Sequence, residues 1–134
     1  MKNMKRVLIL VLALIMAFGV VEAASAAVSI NFTFTDMVTT LKSNSGLASA
    51  DYNSFFVVLG TASTVSNVNV FGFRARNDSN DAALSSYKTM TYVGKKSVAY
   101  RSGVNKDTRV YLNCKKDDSP TYGGPLNAEG SFTP

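Results

Sequence analysis

Hydrophobic and polar residues alternate through much of the chain. In VSINFTF, Val28–Phe34, every second residue is apolar, a period of two that is typical of a β-strand with one buried face. Six further segments read as strands: SFFVVLG, VNVFGFRAR, YKTMTYVG, KSVAYRSG, TRVYLNC and LNAEGSF. Seven short strands separated by turn residues predict an all-β fold, a single antiparallel β-sandwich of jelly-roll or immunoglobulin-like size.

Three segments carry more specific predictions. The continuous apolar run in SFFVVLG predicts a strand that is covered on both faces. In VNVFGFRAR the apolar residues change parity between Val70 and Phe71, and Gly72 follows, which predicts a β-bulge. In residues 36–43, apolar residues at helical spacing follow Asp36, which could act as an N-cap. This segment predicts one short helix.

The last part of the chain predicts a β-hairpin. TRVYLNC places Val110, Leu112 and Cys114 on one face, and LNAEGSF returns as the final strand after the turn-rich connection KKDDSPTYGGP. The shared parity predicts that Cys114, the only cysteine, is a small buried residue. The alternative is a reactive or dimerising thiol, which requires exposure.

Residues 1–26 have the three parts of a secretory signal peptide. A basic start precedes an apolar run over residues 7–21, and Ala24 and Ala26 form an A-x-A pair. That run is fifteen residues long, short of the roughly 20 that a spanning helix needs. We expect cleavage after Ala26 or Ala27, secretion by the Sec pathway and no stable membrane insertion afterwards. A retained membrane anchor is the alternative.

The expected mature chain, residues 27–134, is one domain in length. Without the leader, which carries three bases and one acid, the net charge falls from +5 to +3. Such a mild positive charge, with both signs interspersed, is weak support for binding nucleic acid, and we expect no nucleic-acid partner.

The composition excludes several chemistries. The chain has no histidine, so a serine or cysteine nucleophile would lack an imidazole base. One cysteine without histidine cannot complete a typical zinc or copper site. Carboxylates occur in NDSND and KKDDS, but neither segment matches a calcium loop, and Asp and Asn are common where turns need side chains that bond to local backbone. We therefore expect a protein that is not an enzyme and has no catalytic residues, no cofactor and no metal.

Tyrosine and arginine supply the best candidates for ligand contacts. Arg109 and Tyr111 share the face of their strand opposite Val110 and Leu112, and Tyr122 precedes two glycines in the long connection. Exposed tyrosines with arginines at positions 74, 76, 101 and 109 would suit a sugar- or wall-binding face. The alternative is that the aromatic residues simply favour strands and fill the edge of the core.

Several segments together resemble a known group of proteins. Behind the A-S-A-type leader come INFTF, then FRARNDSND and SSY, and finally SPTYGGPLNAEGSFTP. These are similar to small secreted β-rich proteins of unknown function from Gram-positive Firmicutes, which commonly end in a Tyr-Gly…Gly-x-(Phe/Trp)-(Ser/Thr)-Pro-like strand. Phe132 stands where many members have tryptophan. The resemblance spans most of the mature chain and implies export and a β-rich domain, without an activity or a catalytic residue.

These observations lead to one functional expectation and one alternative. We expect a secreted, non-enzymatic interaction module outside the cell or at the cell envelope, whose partner is a cell-wall glycan or another surface protein. The alternative is a bacteriocin-like antibacterial protein, because the size, the leader and the mild basicity also suit that class.

Overall fold

Nine strands in two antiparallel sheets make up the part of the chain that the computed structural model describes, residues 25–48, 53–101, 104–117 and 124–134. The four-stranded sheet has the order β1 (Val28–Phe34), β9 (Leu126–Thr133), β4 (Ser54–Leu59) and β7 (Gly94–Ala99). The five-stranded sheet has the order β2 (Thr40–Lys42), β8 (Arg109–Lys116), β5 (Phe71–Asn77) and β6 (Lys88–Met90), and β3 (Gly46–Leu47) also pairs with β8. The predicted all-β sandwich is confirmed.

The inner faces of the two sheets meet in an aromatic core. Phe55 on β4 lies at its centre, with its ring centroid 6.3 Å from Phe73 across the core and 5.8 Å from Phe132 on the neighbouring β9. Phe34 and Phe71 make a second contact between the sheets, at 6.4 Å. Each pair is edge-on or tilted, which suits the charge distribution of the aromatic rings.

Each of the seven predicted segments contains a strand, and the alternation matches burial in the clearest cases. Ile30 and Phe34 are buried on β1, and Leu126, Ala128 and Phe132 are buried on β9. The two strands that were not predicted, β2 and β3, are only three and two residues long. They are too short to show a period of two in the sequence.

The predicted helix over residues 36–43 is wrong. Asp36 closes a turn instead, because its Oδ1 accepts hydrogen bonds from the backbone N–H groups of Val38 and Thr39 at 2.8 and 2.7 Å. The chain then joins the sheet as β2, whose backbone pairs with β8. Asp side chains favour such local turns as well as helix caps, so the same residue types suited both structures.

The predicted β-bulge is also wrong. The pairing of β5 with β8 is unbroken from Phe71↔Lys116 to Asn77↔Val110. Val68 is 60 % exposed and precedes the strand, in a turn where Ser66 and Asn69 exchange two backbone hydrogen bonds. The change of parity in the sequence therefore marks where the strand begins.

Strand β4 is buried on one face and half-covered on the other, so the prediction of full cover on both faces is wrong. Phe55, Val57 and Leu59 are buried in the core. On the outer face Phe56 is half-buried, with the Lys95 Nζ 3.8 Å from its ring centroid. A lysine stem and ammonium can cover such an apolar surface without a third layer of structure.

The predicted hairpin at the end of the chain is wrong as well. Strand β8 belongs to the five-stranded sheet, and β9 pairs with β1 and β4 in the other sheet. Both strands turn their apolar sides towards one core, and the segment KKDDSPTYGGP begins with the last two residues of β8. Its residues 118–123, which include the candidate Tyr122, lie outside the described residues.

The lone cysteine lies inside the core, as predicted. Cys114 is buried on the inner face of β8, and its burial raises the pKa of the thiol above the ordinary value. A protonated, inaccessible thiol is a poor nucleophile, which favours the packing role over the reactive alternative.

The predicted signal peptide, residues 1–26, falls almost entirely outside the described residues, and its cleavage stays a prediction. Across the described ranges, helices of the length and hydropathy needed to cross a membrane are absent.

Phe132 gives a direct test of the aromatic core. We expect Phe132→Ala to lower the free energy of unfolding by roughly 3–5 kcal/mol, because the ring is fully buried and its removal leaves a cavity. Chemical denaturation measures this change, and Val68→Ala, at an exposed position, serves as the control. A loss below about 1 kcal/mol would show that β9 does not complete the core.

Candidate functional site

The outer face of the five-stranded sheet carries most of the polar chemistry that the structure describes. Because β5 and β8 turn alternate residues inward, their remaining side chains share one surface. The register places Arg74 opposite Asn113 and Arg76 opposite Tyr111, and Lys42 on β2 also faces Asn113. We call this surface the basic face; its cationic residues are Lys42, Arg74, Arg76, Arg109 and Lys115.

Asp78 gathers three side chains at one end of the basic face. Its Oδ1 lies 2.9 Å from the Lys42 Nζ, and its Oδ2 accepts a hydrogen bond from the Ser45 hydroxyl at 2.8 Å. Arg109 Nε lies 3.8 Å from the same Oδ2. These contacts join β2, the residues before β3, and β8 to the turn that follows β5.

The ion pair shifts the pKa of both partners. The hydrogen bond from Lys42, followed by that from Ser45, holds the pKa of Asp78 below its ordinary value. The same hydrogen bond raises the pKa of Lys42. Both groups are therefore charged throughout the neutral pH range, and Asp78 is a poor general acid or base there.

Tyr111 lies under the ion pair and holds the neighbouring turn. Only 4 % of its surface is exposed, and its hydroxyl donates a hydrogen bond to Asp81 Oδ1 at 2.6 Å. The Lys42 Nζ lies 3.9 Å above its ring. Burial, and then the hydrogen bond to the Asp81 carboxylate, raise the pKa of Tyr111. The phenol is thus protonated and serves as a support beneath the surface.

The NDSND segment forms a turn through its own side chains, as the turn interpretation of these residues predicts. Asn77 Oδ1 accepts hydrogen bonds from the backbone N–H and the hydroxyl of Ser79, at 2.8 and 2.6 Å. Asn80 Oδ1 accepts one from the N–H of Ala82 at 3.0 Å. Asp81 has a positive φ of 58°, a conformation that Asp and Asn adopt more readily than most residues.

An open cleft lies beside this turn. Its volume is about 340 Å³. It is lined by the end of β5 with the turn that follows and by the turn before β8 with the first residue of that strand: Asn77, Asp78, Ser79, Asp107, Thr108 and Arg109. We call it the Asp78 cleft. Carboxylates, an amide, hydroxyls and a guanidinium thus surround one space and offer both donors and acceptors of hydrogen bonds. Among the described residues, no three side chains from Asp, Glu and Cys come together in a way that would hold a metal ion.

Tyr87 crosses the other end of the basic face. Its ring lies over Gly72 on β5, where a Cβ atom would collide with the Tyr87 hydroxyl oxygen. Arg74 and Lys115 approach the ring at 5.8 and 5.4 Å from its centroid. Burial and the nearby Asp117 carboxylate raise the pKa of Tyr87. Gly72 is therefore required because a side chain at this position would displace the Tyr87 ring. It does not form the predicted bulge.

The structure brings two of the three candidate ligand contacts together. The Arg109 side chain is 64 % exposed at the rim of the Asp78 cleft, and Tyr111 lies beside it on the same face of β8. Their roles in binding stay predictions, as does the role of Tyr122. Of the other arginines proposed for this surface, Arg74 and Arg76 lie on it, whereas Arg101 follows the end of β7.

Sequence reasoning missed Lys42 and the central position of Asp78. The predicted helix over residues 36–43 includes Lys42, and the turn interpretation of NDSND gives Asp78 contacts with local backbone alone. The contact between them depends on β2 pairing with β8, and a three-residue strand leaves no periodic signal from which that pairing follows.

Comparisons of the chain with protein-family models, curated proteins and solved structures find no match. Its function must therefore be argued from the site.

The Asp78 ion pair predicts a pH-dependent contribution to stability. The pKa of Asp78 is lower in the folded protein than its ordinary value of 3.8, so the pair stabilises the fold above that pH and stops doing so as the pH falls through the folded-state pKa. We expect Asp78→Asn to lower the melting temperature at pH 7 and low salt, with the difference from the unsubstituted protein vanishing in acid.

Thermal denaturation at a series of pH values measures this difference. Asp107→Asn is the matched control, because it removes an exposed carboxylate from the same cleft. An Asp78→Asn deficit that stayed constant from neutral pH into strong acid would contradict an ionic origin.

Proposed function

We propose that this chain is a secreted, non-enzymatic binding module of the cell envelope, and that its ligand is an anionic cell-wall glycan. The observation that carries the proposal is the Asp78 cleft, whose lining includes Arg109 of the basic face and whose Asp78 also pairs with Lys42. Secretion rests on the leader-like residues 1–26, and the cell-envelope setting rests on the resemblance to secreted proteins of Gram-positive bacteria.

The lining of the cleft supports a hydroxyl-rich ligand. Asp78 and Asp107 can accept hydrogen bonds from sugar hydroxyls, whereas Thr108 and Ser79 can both donate and accept them. The openness of the site suits one or two units of a polymer that passes over a surface. A small metabolite would instead need a deep and mostly apolar pocket.

The adjoining charges support an anionic ligand. Arg109 is largely exposed at the rim, and its guanidinium presents several donors in a plane that matches a carboxylate or a phosphate. Arg74 and Lys115 continue the positive charge along the sheet towards Tyr87. Such a row of cations would attract an acidic chain and align it with the sheet.

The non-enzymatic part of the proposal rests on the groups that are present. The sequence contains no histidine that could act as a general base. The Asp78 carboxylate forms an ion pair with Lys42 and accepts a hydrogen bond from Ser45. Groups held in this way can bind and orient a ligand, but they offer no proton near neutral pH.

Cosedimentation with purified Gram-positive cell walls tests the binding. We expect the protein to sediment with walls that carry their anionic polymers and to remain in solution when those polymers have been extracted. Arg109→Ala should weaken the binding about 10-fold to 100-fold, since a hydrogen bond to a charged group contributes roughly 1.5–3 kcal/mol.

Lys95→Ala is the matched control. It also removes one exposed cation, but from the outer face of the four-stranded sheet. Equal losses for both variants would indicate a non-specific charge effect, and an absence of wall binding by the unsubstituted protein would reject the proposal.

The antibacterial alternative stays a prediction with its own test. A purified bacteriocin-like protein should produce clear zones when it is spotted on lawns of related strains. Cleared zones would favour that function over passive wall binding, and confluent growth around every spot would count against it.

A further inference from the structure

The inner face of β8 ends in a buried lysine. Val110, Leu112 and Cys114 turn into the core, and Lys116 follows with the same parity and has no exposed surface. An ammonium group is costly to remove from water unless a partner compensates it. Lysine is therefore among the residues least often found fully buried, and a position of this kind requires an explanation.

One side chain that contacts Lys116 is itself buried and held in place. Asn69, 6 % exposed, accepts a hydrogen bond at Oδ1 from the Lys116 Nζ. Its Nδ2 donates to the backbone carbonyls of Thr64 and Pro125, at 3.1 and 3.0 Å. The carbonyl side of the amide thus faces the lysine nitrogen, and its amino side faces two acceptors.

The backbone around the pair holds both residues. Asn69 exchanges two backbone hydrogen bonds with Ser66, at 2.9 and 3.1 Å, and this closes the turn that carries it. Lys116 is paired with Phe71, and the N–H of the next residue, Asp117, donates to the Val70 carbonyl at 2.8 Å. Backbone hydrogen bonds at both residues therefore hold the lysine nitrogen and the amide carbonyl in contact. When two groups are held together before they react, the entropic cost of the reaction between them is much smaller.

We propose that Lys116 and Asn69 form an intramolecular isopeptide bond. The hydrogen bond from the Lys116 ammonium to Asn69 Oδ1 passes one proton to the amide, which leaves Nζ with a lone pair. The Nζ then attacks Asn69 Cγ, a new Nζ–Cγ bond forms, and the Cγ–Nδ2 bond breaks. Two protons of the lysine ammonium pass to the departing nitrogen, which leaves as an ammonium ion, so atoms and charge balance without an oxidant or another reactant. The carbonyls of Thr64 and Pro125 lie where the departing nitrogen would be stabilised.

The reaction would remove a charge from the core and cross-link the sandwich. An amide carries no net charge, so the product no longer buries an ammonium ion. The bond would join the end of β8 to the turn ahead of β5, 47 positions apart in sequence. Closing a loop of this length restricts the unfolded chain as a disulfide does. With a single cysteine, the chain has no internal disulfide to serve that purpose.

Intact-mass spectrometry of the denatured protein tests the proposal directly. We expect a mass below that of the same polypeptide by one ammonia molecule. Full mass would overturn the proposal, since it would show that the contact is only a hydrogen bond.

Peptide mapping locates the bond. Trypsin cannot cut after an acylated Lys116, so the cross-linked protein should give a branched peptide in which residues 43–74 are joined to residues 116–134. Recovery of separate peptides 43–74 and 117–134 would overturn the proposal even if ammonia had been lost, because a cyclised asparagine would then account for the loss of mass.

Two substitutions and a matched control complete the test. Lys116→Arg keeps a cation at the site, and Asn69→Ala removes the acceptor carbon; both should have full mass whether or not they fold. Lys115→Arg, on the opposite face of β8, should keep the mass deficit. A deficit that persisted in Lys116→Arg would overturn the assignment.

Discussion

Contact between the two aromatic inner faces is the interaction on which the rest of this structure depends. Phe55 and Phe73 meet across the sandwich, and Phe34 and Phe71 meet beside them. With one cysteine the chain has no internal disulfide, and these rings are among the largest fully buried side chains of the hydrophobic core whose burial drives folding. Every strand that contributes to this layer must turn its alternate side chains outward, and that requirement creates the basic face.

Strand β8 connects the core with each of the chemical features of the molecule. Its inner side chains belong to the core, whereas Arg109 and Tyr111 on its outer side border the Asp78 cleft and the turn behind it. Its last residue, Lys116, reaches Asn69 at the end of the sandwich. Because β8 pairs with β2, β3 and β5, a change in its register would move both sites at once.

The two proposals concern opposite sides of the same sheet and are independent. The proposed binding of a wall polymer would use exposed cations and a polar cleft, and the Arg109 guanidinium could contribute while the core stays closed. The Lys116–Asn69 bond concerns buried groups and would act on stability alone. The proposed location outside the cell would favour such a bond, because no intracellular machinery is present there to refold the protein. An amide also withstands the reducing agents that open disulfides.

Much of the fold could be predicted from residue alternation, but the candidate site could be predicted only in part. Arg109 and Tyr111 were correctly placed on one face of β8, because parity follows directly from the sequence. The burial of Tyr111 was not foreseen, since Lys42 and Asp81 cover it from other elements. Lys116 has the same parity as Cys114 on β8, so alternation along the strand predicts that its side chain points inward and is buried. The charge of lysine argues against that prediction.

The amino-acid sequence by itself determined the seven main strands, the inward positions of Phe132 and Cys114 and the absence of imidazole chemistry. Only the tertiary structure decided that residues 36–43 contain a turn and a strand, that β8 and β9 lie in different sheets, and that Lys42 meets Asp78. The physical reason is the range of the interactions. Alternation is a property of neighbouring residues, whereas strand pairing depends on which distant backbone donors and acceptors remain free once the aromatic faces have packed.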